Sequence, residues 1–204
     1  MIKHQIVNLS VFLWFEDINT SNPVGKVLAS TNEPITDKNI VLDHSVYFTM
    51  KSPQEDGWII AYRNSGQTAF AKEGSNTDET YAMNIILFEL PALNSKEEFI
   101  KFIKVGREEN TDSKRFKFKK DELEYFDGRA DYCVSYHSVA EDTEAVKRSS
   151  NKETMILEMV GYVCRLPQNK NIGIDFDYSQ RYYSGNQDGN LASKADKAFG
   201  TLKF

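Results

Sequence analysis

Two β-rich segments, "DYCVSYHSV" at 131–139 and "TMILEMVGYVCRL" at 154–166, carry the only two cysteines of the chain. A polar stretch, "AEDTEAVKRSSNKE", separates them. If the two segments pair as an antiparallel hairpin, the midpoint of their connection falls near residue 147. Cys133 and Cys164 are equidistant from a point between residues 148 and 149. The cysteines therefore oppose one another to within a residue or two. Directly opposed residues of a non-hydrogen-bonded pair stand about 4.5 Å apart at Cα, at the short end of disulfide geometry. A slip of one residue sends the two side chains to opposite faces.

Cys133 also precedes His137 by four residues, with Asp131, Glu141 and Asp142 close by. A catalytic pair needs the imidazole within hydrogen-bond reach of the sulfur. Along a strand the two residues share a face but lie roughly 13 Å apart. No glycine-rich nucleophile motif surrounds Cys133. Zinc needs four ligands, or three and a water, and His4, His44, His137 and the cysteines form no CxxC or HxxxH pair. The expectation is a Cys133–Cys164 disulfide and no metal site. Two buried free thiols, or a hydrolase or transferase using Cys133 and His137, are the alternatives.

The remaining motifs exclude more than they assign. No P-loop, dinucleotide fingerprint, G-x-S-x-G or H-E-x-x-H occurs, so no cofactor is expected. Asp175, Asp177 and Asp188 lack the spacing of an EF-hand and read as part of a strand and a turn. Net charge is −5 and the one basic cluster, "SKRFKFKK", runs straight into "DELE". A nucleic-acid partner is not expected, because phosphate contacts call for a basic field. No run of 18 apolar residues exists to span a membrane as a helix. Tyr178, Arg181, Tyr182 and Tyr183 combine aromatics with a guanidinium, residue types enriched at binding hot spots. They form the candidate binding surface.

Along the chain, "NLSVFLWF" (8–15) reads as a first strand, and 17–43 as mostly loop, punctuated by Pro23, Gly25 and Pro34. Strands are expected at 44–52, 58–64, 67–74 and 79–90, with turns at 56–57 and 65–66. Ser95 and Glu98 form a capping box for a helix over about 95–107, with Phe99, Phe102 and Ile103 as its apolar stripe. "RFKFK" and "ELEYF" precede the Asp127–Gly128 pair, which signals a tight hairpin into the segment from 129. "IGIDFDYSQRYY" follows Pro167, and 190–199 forms a short helix with Leu191, Ala195, Ala198 and Phe199 on one side. "TLKF" ends the chain as an edge strand or as part of the helix end. The fold class is α+β over a single domain, 1–204. It is a twisted antiparallel sheet, a meander in its C-terminal half, flanked by two main helices.

Several of these pieces recur in one order over about 44–204: "GW" at 57–58, "DETYAMNIILFELP", the capped "SKEEFIKFI", "DYCVSYHSVAED", "GYVCRLP", "YSQR" and "KAFGTLKF". That order resembles a group of uncharacterised bacterial lipoprotein-type domains, and the ending is similar to the PsbP-like fold. The resemblance implies an extracytoplasmic domain, periplasmic or in the cell envelope, with a cysteine pair and no known catalysis. The chain departs from it in having no lipobox cysteine near Met1. The expected function is a non-enzymatic accessory or binding protein whose partner is another protein or an envelope component. A cytoplasmic location and an inhibitor or immunity-type protein with a basic partner are the alternatives.

Overall fold

A computed structural model describes residues 33–35, 41–44, 47–64 and 66–204. Among the described residues, eight strands form one sheet: β1 (Glu33–Pro34), β4 (Ile59–Arg63), β5 (Gln67–Glu73), β6 (Thr80–Glu89), β7 (Phe116–Tyr125), β8 (Cys133–Asp142), β9 (Met155–Leu166) and β10 (Asn169–Tyr183). Their order is β1-β4-β5-β6-β10-β9-β8-β7, and every pairing is antiparallel. A separate two-stranded sheet pairs β2 (Val41–His44) with β3 (Phe48–Lys51). The helices are α1 (Lys96–Asn110) and α2 (Leu191–Phe199). The architecture is α+β, an antiparallel sheet with two helices.

The helices lie on opposite faces of the sheet. Phe99 and Ile103 of α1 pack with Phe88, Val134, Tyr136, Met159 and Val163. Leu191, Ala195 and Phe199 of α2 pack with Met83, Ile85, Cys133, Cys164, Ile174 and Phe176. Strand alternation sorts the side chains, because successive residues point to opposite faces. β10 sits between β6 and β9 and is buried on both faces from Gly173 onward. Its even positions, Ile174, Phe176 and Tyr178, face α2, and its odd positions, Asp175 and Asp177, face α1.

Cys133 and Cys164 are direct partners in the β8–β9 ladder, 4.1 Å apart at Cα and joined by a disulfide. Every pair of that ladder, from Cys133↔Cys164 to Asp142↔Met155, shares their symmetry point. The serine half of the capping box forms, Ser95 Oγ accepting from Glu98 N at 3.2 Å, while Glu98 Oε2 reaches one residue past the cap and accepts from Asn94 N at 2.8 Å. Gly57 takes φ +87° at the expected turn, a region that favours glycine.

Other expectations are corrected. The single strand over 44–52 is a reversal between β2 and β3, with His44 opposite Phe48. No glycine or proline marks that turn. β1 and β2 stand within the stretch read as mostly loop. The expected strand 8–15 lies outside the described residues. α1 runs through Gly106 to Asn110. "RFKFK" and "ELEYF" merge into one strand, β7, with a bulge between Phe118 and Lys120. The Asp127–Gly128 pair makes no tight hairpin; residues 126–132 link β7 to β8 as a longer loop. Arg129 ties that loop to the end of α2: its guanidinium donates to Phe199 O at 2.9 Å and lies over the Tyr162 ring. The tail returns to β3, with Thr49 and Lys203 exchanging backbone hydrogen bonds of 2.9 Å.

The disulfide closes a loop with a sequence separation of 31. By loop-closure entropy it stabilises the fold by about 3–4 kcal/mol. Urea unfolding of the oxidised and reduced protein is expected to differ by that amount. The denatured, unreduced protein is expected to show no free thiol.

Candidate functional site

The disulfide consumes both cysteines, so Cys133 offers no thiolate to His137. His137 is engaged elsewhere. Lys120 Nζ donates to its Nδ1 at 3.0 Å, and its Nε2 donates to Glu158 Oε1 at 2.8 Å. These two bonds place the ring proton on Nε2. Glu158 Oε2 also accepts from Tyr182 Oη at 3.1 Å and Gln187 Nε2 at 2.7 Å. The result is a polar chain from β7 across β8 and β9 to the end of β10.

The residues expected as a binding surface are interior. Tyr178, Arg181, Tyr182 and Tyr183 are all buried, at 3 to 7% exposure. Tyr178 packs edge-on against Trp58, with ring centroids 5.7 Å apart. Arg181 lies 3.0 Å from Asp142 Oδ2, and Arg115 binds the same carboxylate through two bonds of 2.8 and 3.0 Å. Tyr183 donates to Asp78 Oδ2 at 2.6 Å. The reason is position: β10 has a strand on each side and a layer of packing on each face, so its aromatics and its arginine serve the interior.

Asp78 clasps the loop before β6 to the loop after β8. It accepts from the Ser149 and Tyr183 hydroxyls and from the backbone N–H of Arg148 at 2.6 Å and Ser149 at 2.8 Å. Those bonds, the Ser149 hydroxyl foremost, hold its carboxyl well below the usual range.

A polar cluster lies beneath α1. Asp175 and Asp177 are 1% exposed. Tyr136 Oη donates to Asp175 Oδ1 at 3.0 Å, and Asn84 Nδ2 donates to Asp177 Oδ1 at 3.1 Å. Gly161 makes this possible. A Cβ there would come within 2.6 Å of the Tyr136 ring and 2.7 Å of Phe176 O, so only glycine lets the tyrosine lie across β9. Arg107 of α1 sits over the same ring at 4.1 Å and donates to Ser138 Oγ at 2.8 Å and Asp121 Oδ1 at 3.0 Å. Burial pushes the Asp175 carboxyl up to about 6. Burial, then the charge of Asp175, raises Asp177 well above its ordinary value. Asp177 Oδ2 and Asn84 Oδ1 are both without a hydrogen-bond partner, and the two residues are direct cross-strand neighbours. A proton on Asp177 Oδ2 turns that oxygen into a donor and allows acid and amide to pair through two hydrogen bonds.

The sites open to solvent include a groove of about 270 Å³ on the α2 face. Its floor is Val160, Tyr162, Ala195 and Phe199, and Glu122, Glu124, Asp196 and His137 stand among its lining residues. β7 contributes the two glutamates, β8 the histidine, β9 Val160 and Tyr162, and α2 Ala195, Asp196 and Phe199. Tyr162 Oη donates to Asp196 Oδ1 at 3.3 Å, and its ring stacks on Phe176 at 5.4 Å between centroids. The groove is apolar below and carries carboxylates above, of which Glu122 is paired with Lys120 Nζ at 2.8 Å. Among the described residues, no group of three or more His, Cys, Asp or Glu side chains could hold a metal ion.

Sequence reasoning missed both the groove and the buried acids. The acids had a signal. In "IDFDY" the carboxylates alternate with large apolar side chains, which puts both on one face of a strand. The groove had none, because β7 and α2 are some 70 residues apart in the chain and meet only through the sheet.

No family model matches the chain, and no curated protein matches it. Among solved structures it is similar to a point mutant of the protein Mog1, with TM-score 0.39 and 14% identity over 81% of this chain and 95% of that one. It is also similar to the Saccharomyces cerevisiae Ran-binding protein Mog1p, with TM-score 0.37 and 13% identity over 77% of this chain and 89% of that one. Likeness of that order assigns neither a family nor a partner.

The buried acids predict a pH dependence. A carboxyl whose folded pKa is raised binds its proton more tightly in the folded state. It therefore contributes stability that is complete below the ordinary value of 3.8 and is lost as pH rises through the folded value. For Asp175 that window runs from 3.8 to about 6; for Asp177 it extends higher. The slope is about 1.4 kcal/mol per pH unit per group. Asp177→Asn supplies an N–H in place of the acid O–H. Urea midpoints from pH 4 to 8 are expected to fall less steeply in this variant than in the wild type.

Proposed function

We propose that this chain is a non-enzymatic binding protein working outside the cytoplasm, in the periplasm or cell envelope, and that its α2-face groove receives a cationic segment of a partner protein. The acidic rim over an apolar floor carries this reading. Glu124 and Asp196, with Glu122 where it exchanges its exposed pairing to Lys120, provide charge for a lysine or arginine head, while Val160, Tyr162 and Phe199 provide surface for its aliphatic stem. An inhibitor-type protein that meets a basic partner is one form of the same reading, because complementary charge selects and steers such a partner.

The location rests on the disulfide. Such bonds persist in oxidising compartments and are rare where thiols are kept reduced. The resemblance to lipoprotein-type domains points the same way. Among the described residues, no helix is long and apolar enough to cross a membrane. A cysteine-dependent hydrolase has no support in the bridged form, because its nucleophile is already bonded to Cys164.

The test is an NMR titration of the oxidised protein with short peptides carrying one or two lysines or arginines beside a leucine. Shift changes are expected around Tyr162, Asp196 and Glu122, with affinity falling as salt is raised. Asp196→Lys should weaken binding roughly tenfold. Shifts confined to another surface, or an affinity indifferent to Asp196→Lys, would overturn the assignment.

A further inference from the structure

We propose that His137 is a proton-operated gate on the α2-face groove, open to a cationic guest when the imidazole is neutral and closed when it is protonated. The proposal rests on the reading above, that the groove receives a cation. His137 stands among the lining residues of the groove with Glu122, Glu124 and Asp196. Its side chain is 35% exposed, so protons reach it from solvent. Its two ring nitrogens have partners of opposite demand. Nε2 donates to Glu158 Oε1 at 2.8 Å, and Nδ1 accepts from Lys120 Nζ at 3.0 Å. The same ammonium lies 2.8 Å from Glu122 Oε2. Lys120 is therefore shared between the imidazole and a carboxylate of the groove rim.

This sharing couples the proton to the guest. A cation entering the groove competes with Lys120 for Glu122. While His137 is neutral, Nδ1 keeps Lys120 bonded after Glu122 turns to the guest. A proton on Nδ1 removes that acceptor and sets an N–H against an ammonium. Among the described residues Lys120 is then left to Glu122, and the rim loses a carboxylate. The imidazolium also places a positive charge beside that of the guest. Both effects have one sign: protonation weakens cation binding. Glu158 lets the charge form. It is 4% exposed and lies against Nε2 in either state, so the imidazolium has its counter-ion already in place.

The groups that face His137 leave the switching to it. Its cross-strand neighbours are Glu122 on β7 and Val160 on β9. Glu124 and Asp196 complete the acidic lining. Glu141, further along the same strand, is paired with Lys119 Nζ at 2.9 Å. Tyr162 lines the groove and Tyr182 is bonded to Glu158. Burial disfavours both phenolates, so these tyrosines hold their protons more tightly than usual. Imidazole is the side chain that ordinarily changes charge between pH 5 and 8. Asp175 also titrates in that range, but on the α1 face, and it is retained when His137 is replaced.

The test uses the oxidised full chain and an arginine–leucine peptide with blocked ends, which carries no group that titrates near neutral pH. NMR of the His137 ring measures its protonation midpoint directly. Peptide affinity is expected to fall roughly threefold to tenfold from above that midpoint to below it. By reciprocity, saturating peptide should lower the His137 midpoint by about half a unit to one unit, a readout that needs no substitution. H137Q keeps a neutral donor and acceptor, and should bind at every pH as the wild type does above its midpoint. K120M releases Glu122 and should raise affinity most below the midpoint. Circular dichroism checks that both variants fold. Peptide held in the groove with equal affinity on both sides of the midpoint would overturn the gate and leave the groove reading standing. So would a pH dependence that persists in H137Q. A peptide that fails to bind the groove at any pH would overturn both.

Discussion

The β8–β9 register governs the molecule. A strand has a side-chain period of two, so moving β8 by one residue against β9 would exchange the residues of its two faces. In the observed register, Val134, Tyr136, Ser138, Ala140 and Asp142 face α1, and Cys133 and His137 face α2. The Cys133–Cys164 bond holds that choice covalently at one end of the ladder. At the other end, Asp142 is held by Arg115 and Arg181. An aspartate turned to the wrong face would leave two guanidiniums buried without their shared carboxylate, which is strongly unfavourable. A covalent staple and a buried ion triad thus specify the same alignment.

The layer beneath α1 follows from that alignment. It holds Arg107, Tyr136, Asp175, Asp177 and Asn84 among aliphatic and aromatic neighbours. Full burial of two carboxylates near one arginine disfavours their double ionisation. The arrangement tolerates this because the tyrosine and asparagine donate to one carboxylate each, and a proton can serve as the remaining counter-charge. The opposite layer is built from rings. Tyr162, Phe176 and Phe199 contact one another at 5.0 to 5.9 Å between centroids, and the half-buried Arg129 guanidinium lies over Tyr162 and Phe176. The carboxyls whose proton affinity is raised by burial therefore lie under α1, whereas α2 rests on aromatic rings.

What the sequence reveals is what local pattern controls. The capping box at Ser95, the turn at Gly57, the α2 stripe and the cysteine alignment all depend on residues close in the chain, or on one symmetric hairpin. The failures also share a cause. The Asp127–Gly128 pair has the composition of a tight turn, yet it sits in a longer loop whose Arg129 is bonded to the end of α2. Tyr178 to Tyr183 have the composition of a hot spot, yet β6 and β9 flank them. Neither Arg129's partner nor β10's central place is written in local sequence, because both depend on strand order. The same holds for the groove, whose walls come from β7 and α2.

Strand order also explains where recognition can reside. β10, β9 and β8 are enclosed, and their polar side chains are largely bonded to one another. β7 is where charge meets solvent: Lys117, Lys119, Glu122 and Glu124 are exposed, and two of these line the groove.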